Sequence, residues 1–346
     1  MPDRPVLEFL VIGAQKGGTT TLWKMLRDHP GLWLPDAKEA PFFSHTEVYE
    51  RGWASYAERL RVPAGQGRMR GTVTPHYMQG WRDASTAIVA ARIARLLPEV
   101  RLVALLREPV ARARSQHAMA LARGQETREA DRALRESLSL PLLREGRLAP
   151  GDTNTYVVQG EYGRIVGEYV SLLGPAAVHL ELSDSLAEEP LGVVRRVLRF
   201  LDVDDGYEPA DPFQRTFAGG RRPRSSEEDL VRLLRALDAA RPASSKRAAA
   251  CAWLAERSLD AQGLQEFEAV VGRYLDAPPE RSYSERVGLE FTLRKIWNVV
   301  PSAPEPISEE VLAALAAHYA QDARALAAAT GLTVPWSESR LPAGPV

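Results

Sequence analysis

Cysteine is nearly absent. Cys251 is the single one in 346 residues, so the chain cannot close a disulfide on itself and nothing points to an oxidising compartment. Charge of one sign is missing too: 44 basic and 45 acidic residues leave a formal net charge of −1. That balance excludes a whole-molecule field that would recruit nucleic acid or an anionic membrane, so an anion site has to be built locally. Long apolar runs are also lacking. No stretch reaches the roughly 18 uninterrupted apolar residues of a membrane span, and Leu7–Ile12, after Met1-Pro2-Asp3-Arg4, is too short for a secretory leader core. No Cys/His cluster or carboxylate motif has the spacing of a metal site. These absences lead us to expect a cytoplasmic, metal-independent protein, and its wealth of Ala, Arg, Leu and Gly has the look of a GC-rich bacterial source.

What is present is ordinary globular composition, 45% hydrophobic and 26% charged. The length suits one large α/β domain or two modest ones. Strand and helix signals alternate over the first 200 or so residues. Leu7–Ile12 reads as a buried strand ended by Gly13, and Thr19–His29 as a helix stopped by Pro30-Gly31. Arg68–Val73, Arg101–Leu106 and Ala177–Leu182 read as further strands. Ala84–Leu97, Glu108 to about Ala122, Glu161–Leu173 and Pro190–Leu201 read as helices. The alternation predicts a three-layer α/β fold, a parallel sheet flanked by helices. In such sheets ligands bind outside the carboxyl ends of the strands, so functional residues should directly follow them.

Gly13-Ala14-Gln15-Lys16-Gly17-Gly18-Thr19-Thr20 joins the first strand to its helix. Glycines let the backbone approach a ligand, a helix start offers unpaired N–H groups, and Lys16, Thr19 and Thr20 add a charge and two hydroxyls. Together they form a phosphate cradle. A nucleoside-triphosphate loop places its lysine directly after the last glycine; here Lys16 precedes Gly17 and Gly18, which argues against a kinase or ATPase. The bland alternative is a glycine-rich turn with a surface lysine. Two further features stand at strand ends. Arg107 follows Arg101–Leu106 with Ser115 eight residues on, and on spacing alone this is equally an arginine that happens to precede a helix. Lys38-Glu39-Ala40-Pro41-Phe42-Phe43 offers a carboxylate beside lysines, or a surface ion pair next to an aromatic anchor.

The Gln15–Thr20 loop resembles the 5′-phosphosulfate loop of sulfotransferases that use 3′-phosphoadenosine-5′-phosphosulfate (PAPS), and the likeness is to the bacterial and heparan-type branch. The resemblance implies the sulfotransferase variant of the P-loop-like fold, with PAPS as co-substrate, a hydroxyl on a small acceptor as substrate and 3′,5′-ADP as product. It implies that Lys16, Gly17, Gly18, Thr19 and Thr20 hold the 5′-phosphosulfate, and that Arg107 and Ser115, in LLREPVARARS, hold the 3′-phosphate. Arg112 and Arg114, in the same stretch, read as solvated helix residues. Glu39, three residues before the Phe-Phe pair, takes the place of the catalytic base. His76, in Thr74-Pro75-His76-Tyr77, is the alternative base, since hormone and phenol sulfotransferases use a histidine near this strand. Thr72 and Val73 stand where the family carries a charged residue. The other five histidines read as structural.

Gly160-Glu161-Tyr162 resembles the family's Gly-x-Tyr element. Gly220–Ser225, with Arg221 and Arg224, resembles a late loop over the nucleotide, or is simply an exposed basic loop. Trp23, Trp33, Phe42, Phe43, Trp53, Tyr56 and Tyr77 either line an acceptor site or anchor the core. The whole chain reads as one sulfotransferase domain. Within it, 226–304 is a helical insertion that shapes acceptor access or a homo-oligomer contact, and 305–337 is a C-terminal helix returning to the core. The competing readings are a nucleotide kinase and a non-catalytic nucleotide- or partner-binding protein on the same scaffold.

Overall fold

The computed structural model describes residues 7–61, 67–122, 125–210, 221–222, 300–301 and 306–337. The chain divides into two compact units. Residues 1–117, 128–218 and 305–346 form the first, and 118–127 with 219–304 the second.

The first unit is built on a five-stranded sheet. Its strands are β1 (Phe9–Gly13), β2 (Leu32–Trp33), β3 (Met69–Val73), β4 (Arg101–Leu106) and β5 (Val178–Leu182), in the order β2-β3-β1-β4-β5. Every pairing is parallel. Successive strand residues face opposite sides, and both sides of this sheet are apolar. Leu10 and Ile12 of β1, with Leu102, Ala104 and Leu106 of β4, enter one core. Phe9, Val11, Val103 and Leu105 enter the other. This is why the strands read as continuous apolar runs rather than as an alternation.

α5 (Thr86–Leu96), α9 (Tyr162–Leu173) and the C-terminal α12 (Glu309–Thr330) cover the first face; α1 (Thr19–Leu26) and α11 (Pro190–Leu201) cover the second. Shorter helices complete the unit: α2 (Thr46–Glu50), α3 (Trp53–Leu60), α4 (His76–Gln79), α7 (Ala130–Ser137), α8 (Leu140–Leu148) and α10 (Ser183–Glu188). α6 (Pro109–Ala122) begins directly after β4. The expected three-layer α/β architecture is present: from the central β1 the chain goes to the edge strand β2, returns through β3 beside β1, and then crosses to β4 and β5 on the other side. That arrangement opens a crevice at the carboxyl ends of β1 and β4.

α12 is held on α9 by specific bonds. The Asp322 carboxylate accepts the N–H groups of Gly163 and Arg164 at 2.7 and 2.9 Å, capping the start of α9 from another helix. Tyr319 donates to the Val157 carbonyl at 3.0 Å. His318 meets Glu161 at 3.0 Å, and the same carboxylate takes Arg147 and Arg164, both at 2.6 Å. In the second unit, β6 (Arg221–Arg222) pairs antiparallel with β7 (Val300–Pro301). The rest of the expected 226–304 insertion, and Arg224, lie outside the described residues. Among the described residues no helix is long and apolar enough to cross a membrane.

Candidate functional site

The turn after β1 is shaped by its contacts with two neighbouring strand tips. Ala14 donates its N–H to the Leu105 carbonyl of β4 at 2.8 Å, and Gly17 donates to the Ala14 carbonyl at 3.0 Å. A side chain at Gly17 would bring a Cβ within 2.5 Å of the Leu105 oxygen, so only glycine fits. Gly18, with φ of 96°, forms the N-cap of α1 in the left-handed region that glycine tolerates, and no side chain caps that helix. The first N–H groups of α1 are therefore offered outward with the positive end of its dipole. Lys16 also has positive φ, 69°, unusual for a residue with a side chain and characteristic of over-determined functional turns. The Ser183 hydroxyl, directly after β5, donates to the Gly17 carbonyl. This residue was not legible in the sequence, where it is one more serine after a strand.

Arg107 comes to the same turn from the tip of β4. Its Nη1 donates to the Lys16 carbonyl at 3.4 Å. Its own carbonyl accepts the Tyr162 hydroxyl at 2.9 Å, which fixes the backbone from which the guanidinium projects. Burial pushes the Tyr162 phenol up to about 12, so it stays a neutral donor. Ser115 lies two turns along α6 and is half-buried. The start of α6 is already occupied: Glu108 accepts the N–H groups of Val110 and Ala111 at 2.9 and 2.6 Å. An anion near Arg107 is therefore served by side chains and not by that helix terminus.

Arg112 is a correction. The helical pattern predicts it in solvent, yet its exposure is 0%. The guanidinium is taken up by Gln116 Oε1 at 2.8 Å, Gln159 Oε1 at 3.1 Å and the Tyr156 carbonyl. The segment that buries it, around residues 155–159, lies some forty residues away in sequence, beyond any local signal.

The Glu39 loop is pinned to the tip of β3. Thr74 Oγ1 accepts the Ala40 N–H at 3.2 Å, and Tyr77 O–H accepts the Phe42 N–H at 3.2 Å. The Ala40 carbonyl accepts both Tyr77 at 3.0 Å and Tyr56 at 2.6 Å. Glu39 itself is exposed and paired with Lys38 Nζ at 2.9 Å. His76, the other candidate base, is half-buried in a near-parallel ring cluster: 5.7 Å from His45 and 5.5 Å from Trp81 between ring centroids. Burial, then His76, pulls the His45 imidazole below its ordinary value. Beside Lys16, Gln15 Nε2 donates to Gln79 Oε1 of α4 at 3.2 Å, a second tie between the turn and the β3 tip.

Most of the residues singled out thus follow strand ends: Lys16 to Thr20 after β1, His76 after β3, and Arg107 after β4, with the Glu39 loop bonded to Thr74. The structure joins Arg107 to the Lys16 turn directly, and the neighbours of Glu39, Ala40 and Phe42, to the β3 tip. Arg221 lies in β6 of the second unit. Of the seven aromatics considered for an acceptor site, Phe42, Phe43, Trp53, Tyr56 and Tyr77 form one core cluster, and Trp23 enters the other. They are anchors. No group of residues suited to a metal ion occurs among the described residues.

No family profile matches the chain. Two curated relatives, heparan sulfate glucosamine 3-O-sulfotransferase 3B1 of Mus musculus and heparan sulfate glucosamine 3-O-sulfotransferase 6 of Homo sapiens, are each 30% identical to it. The first is matched over 202 residues, 56% of this chain and 45% of the relative; the second over 196 residues, 56% and 52%. The chain therefore spans about half the length of the curated relatives it matches. A solved sulfotransferase from Alicyclobacillus acidocaldarius superposes with a TM-score of 0.51 at 22% identity, covering 74% of this chain and 98% of that one. The fold is the P-loop-like sulfotransferase fold, and the sequence likeness is to sulfotransferases.

Proposed function

We propose that this chain, which has the sulfotransferase fold and shares 30% of its residues with two sulfotransferases over 56% of its length, moves a sulfuryl group from PAPS to a hydroxyl of a small acceptor. Carbohydrates, lipids and natural products are the acceptor classes. The observation that carries the reading is the meeting of Arg107 with the Lys16 turn. It brings the Arg107 guanidinium to the backbone of the Lys16 turn, next to an uncapped helix start, which supports a ligand with a phosphosulfate at one end and a phosphate at the other.

In this reading the backbone N–H groups at Gly17–Thr20 bind the 5′-phosphate oxygens, and the Thr19 and Thr20 hydroxyls add donors. Arg107 and Ser115 bind the 3′-phosphate, the guanidinium through its planar fork. The acceptor oxygen forms a bond to sulfur as the bond from sulfur to the bridging phosphate oxygen breaks. The electron pair leaves on that oxygen, giving 3′,5′-ADP, and Lys16 offsets its charge. Glu39 takes the acceptor proton. As in phosphoryl transfer, positioning and electrostatics supply most of the rate. Glu39 is preferred to His76 as base because it projects from a loop bonded at Ala40 and Phe42, whereas the His76 ring lies among two others. The reaction needs no metal. The whole chain acts as one sulfotransferase domain, with 226–304 as an insertion. A cytoplasmic location is assigned on the single cysteine.

Thermal melting with 3′,5′-ADP and with ATP–Mg²⁺ tests the donor site. A rise with the first alone is expected, and a rise with ATP–Mg²⁺ alone would replace sulfotransfer with phosphotransfer. Transfer of ³⁵S from labelled PAPS into a metabolite extract then identifies the acceptor. A nucleotide-binding chain with no transfer in any extract would point to a binding protein.

A further inference from the structure

Arg112 is a buried cation whose direct partners are all neutral. Nη1 donates to the Gln116 and Gln159 side-chain oxygens and Nη2 to the Tyr156 carbonyl. Its Nε has no partner among the described residues, and no carboxylate among them pairs with it. The carboxylate closest in sequence, Glu108, acts on Arg112 only through space and spends its hydrogen bonds on the backbone N–H groups of Val110 and Ala111. Tyr162 and Tyr319, which also act on Arg112, are buried phenols held neutral by desolvation. A buried charge with no ion-pair partner is expensive. A lysine could shed its proton to escape the cost; an arginine cannot. The charge therefore stays, and its field spreads through a medium that salt screens poorly.

Its position gives that field a target. Arg112 lies three residues before Ser115, so the two share a face of α6. It lies five residues after Arg107, whose charge is among those acting on it. We propose that Arg112 is an electrostatic positioning residue for the 3′-phosphate: without touching the nucleotide, its unpaired charge strengthens binding of a dianion held by Arg107 and Ser115. This rests on the PAPS reading above, in which that pair takes the 3′-phosphate. The ligand then adds to the counter-charge that Glu108 supplies only in part.

The test compares 3′,5′-ADP with 5′-AMP, which lacks only the 3′-phosphate, by calorimetric titration of the full chain and its Arg112→Met and Arg112→Lys variants. Arg112→Met should weaken 3′,5′-ADP on the order of 10–100-fold while shifting 5′-AMP less than about 3-fold. Arg112→Lys loses the fork and can shed its proton in the empty site but regains it as the dianion binds, so it should melt lower than the parent yet keep most of the preference for 3′,5′-ADP, with proton uptake on binding. Equal weakening of both nucleotides in a folded Arg112→Met variant would reduce Arg112 to a packing residue, and unchanged affinities would remove any role. If Arg112→Met does not fold, Arg112→Lys decides: a folded variant without the preference overturns the proposal. A parent protein that binds both nucleotides equally would instead overturn the donor assignment itself.

Discussion

The guanidinium of Arg107 donates to the main-chain carbonyl of Lys16 at 3.4 Å, linking residues 91 positions apart. The contact ties the tip of β4 to the turn after β1, where the Gly17 backbone also packs on the Leu105 carbonyl. A weak, long bond to a carbonyl leaves most of the arginine's five donors for an anion.

Replacing Arg107 with alanine should weaken 3′,5′-ADP binding by about 1.5–3 kcal/mol, the usual worth of a hydrogen bond to a charged group. Calorimetric titration measures it. An unchanged dissociation constant would remove Arg107 from the 3′-phosphate site.

The exchange of Glu39 for glutamine should lower turnover by roughly 10²–10⁴-fold with little change in nucleotide affinity, as expected of a general base that does not touch the donor. Steady-state kinetics with the identified acceptor gives the answer. Full activity would pass the role to His76, whose own substitution by asparagine then becomes the decisive one.

The Tyr77→Phe variant removes the hydroxyl that accepts from Phe42 N–H and donates to the Ala40 carbonyl inside the core. Ala40 keeps its bond from Tyr56, but the Phe42 N–H loses its acceptor, so stability should fall by about 1–3 kcal/mol. Urea unfolding reports this. If the pin also orients Glu39, turnover falls more than the acceptor KM changes, although residue 77 is not the base.

Acid should loosen the grip of α12 on α9. Burial would raise the Glu161 carboxyl, but the bonds from His318, Arg147 and Arg164 outweigh it and hold the group at about 2, against 4.5 when free. A depressed carboxyl stabilises the fold above its unfolded value, and that contribution is lost as pH falls through the folded one. The loss therefore runs between pH 4.5 and about 2, and amounts to roughly 3 kcal/mol. Asp322, which burial raises, contributes with the opposite sign. Glu161→Gln should lower stability at neutral pH and flatten the acid limb of the pH–stability curve. An acid limb identical to the parent's would assign the dependence to other groups.

Much of the sheet was legible because its signals are local. β4 and α11 begin and end where the apolar run and the Pro190 start place them, and β1, β3 and β5 begin within two residues of expectation. The Gly17-Gly18 turn was equally readable, since glycines at a strand end restrict what the backbone there can do. β2 was missed because two residues carry no periodicity. α2, α3, α7 and α8 were missed because short helices depend on their neighbours more than on their own pattern.

The sequence by itself determined the four longer strands, which turn can cradle an anion, and which charged residues stand at strand ends, because period and glycine placement are properties of a few adjacent residues. Tertiary structure alone decided that Arg107 meets Lys16, that Thr74 and Tyr77 fix the loop of Glu39, that Ser183 holds Gly17, and that Arg112 is buried. A helix presents the same arginine whether or not another segment covers it, and here the cover comes from Tyr156 and Gln159, 44 and 47 residues further along the chain. Burial and hydrogen bonding at that distance depend on how the strand tips converge, which no local pattern encodes.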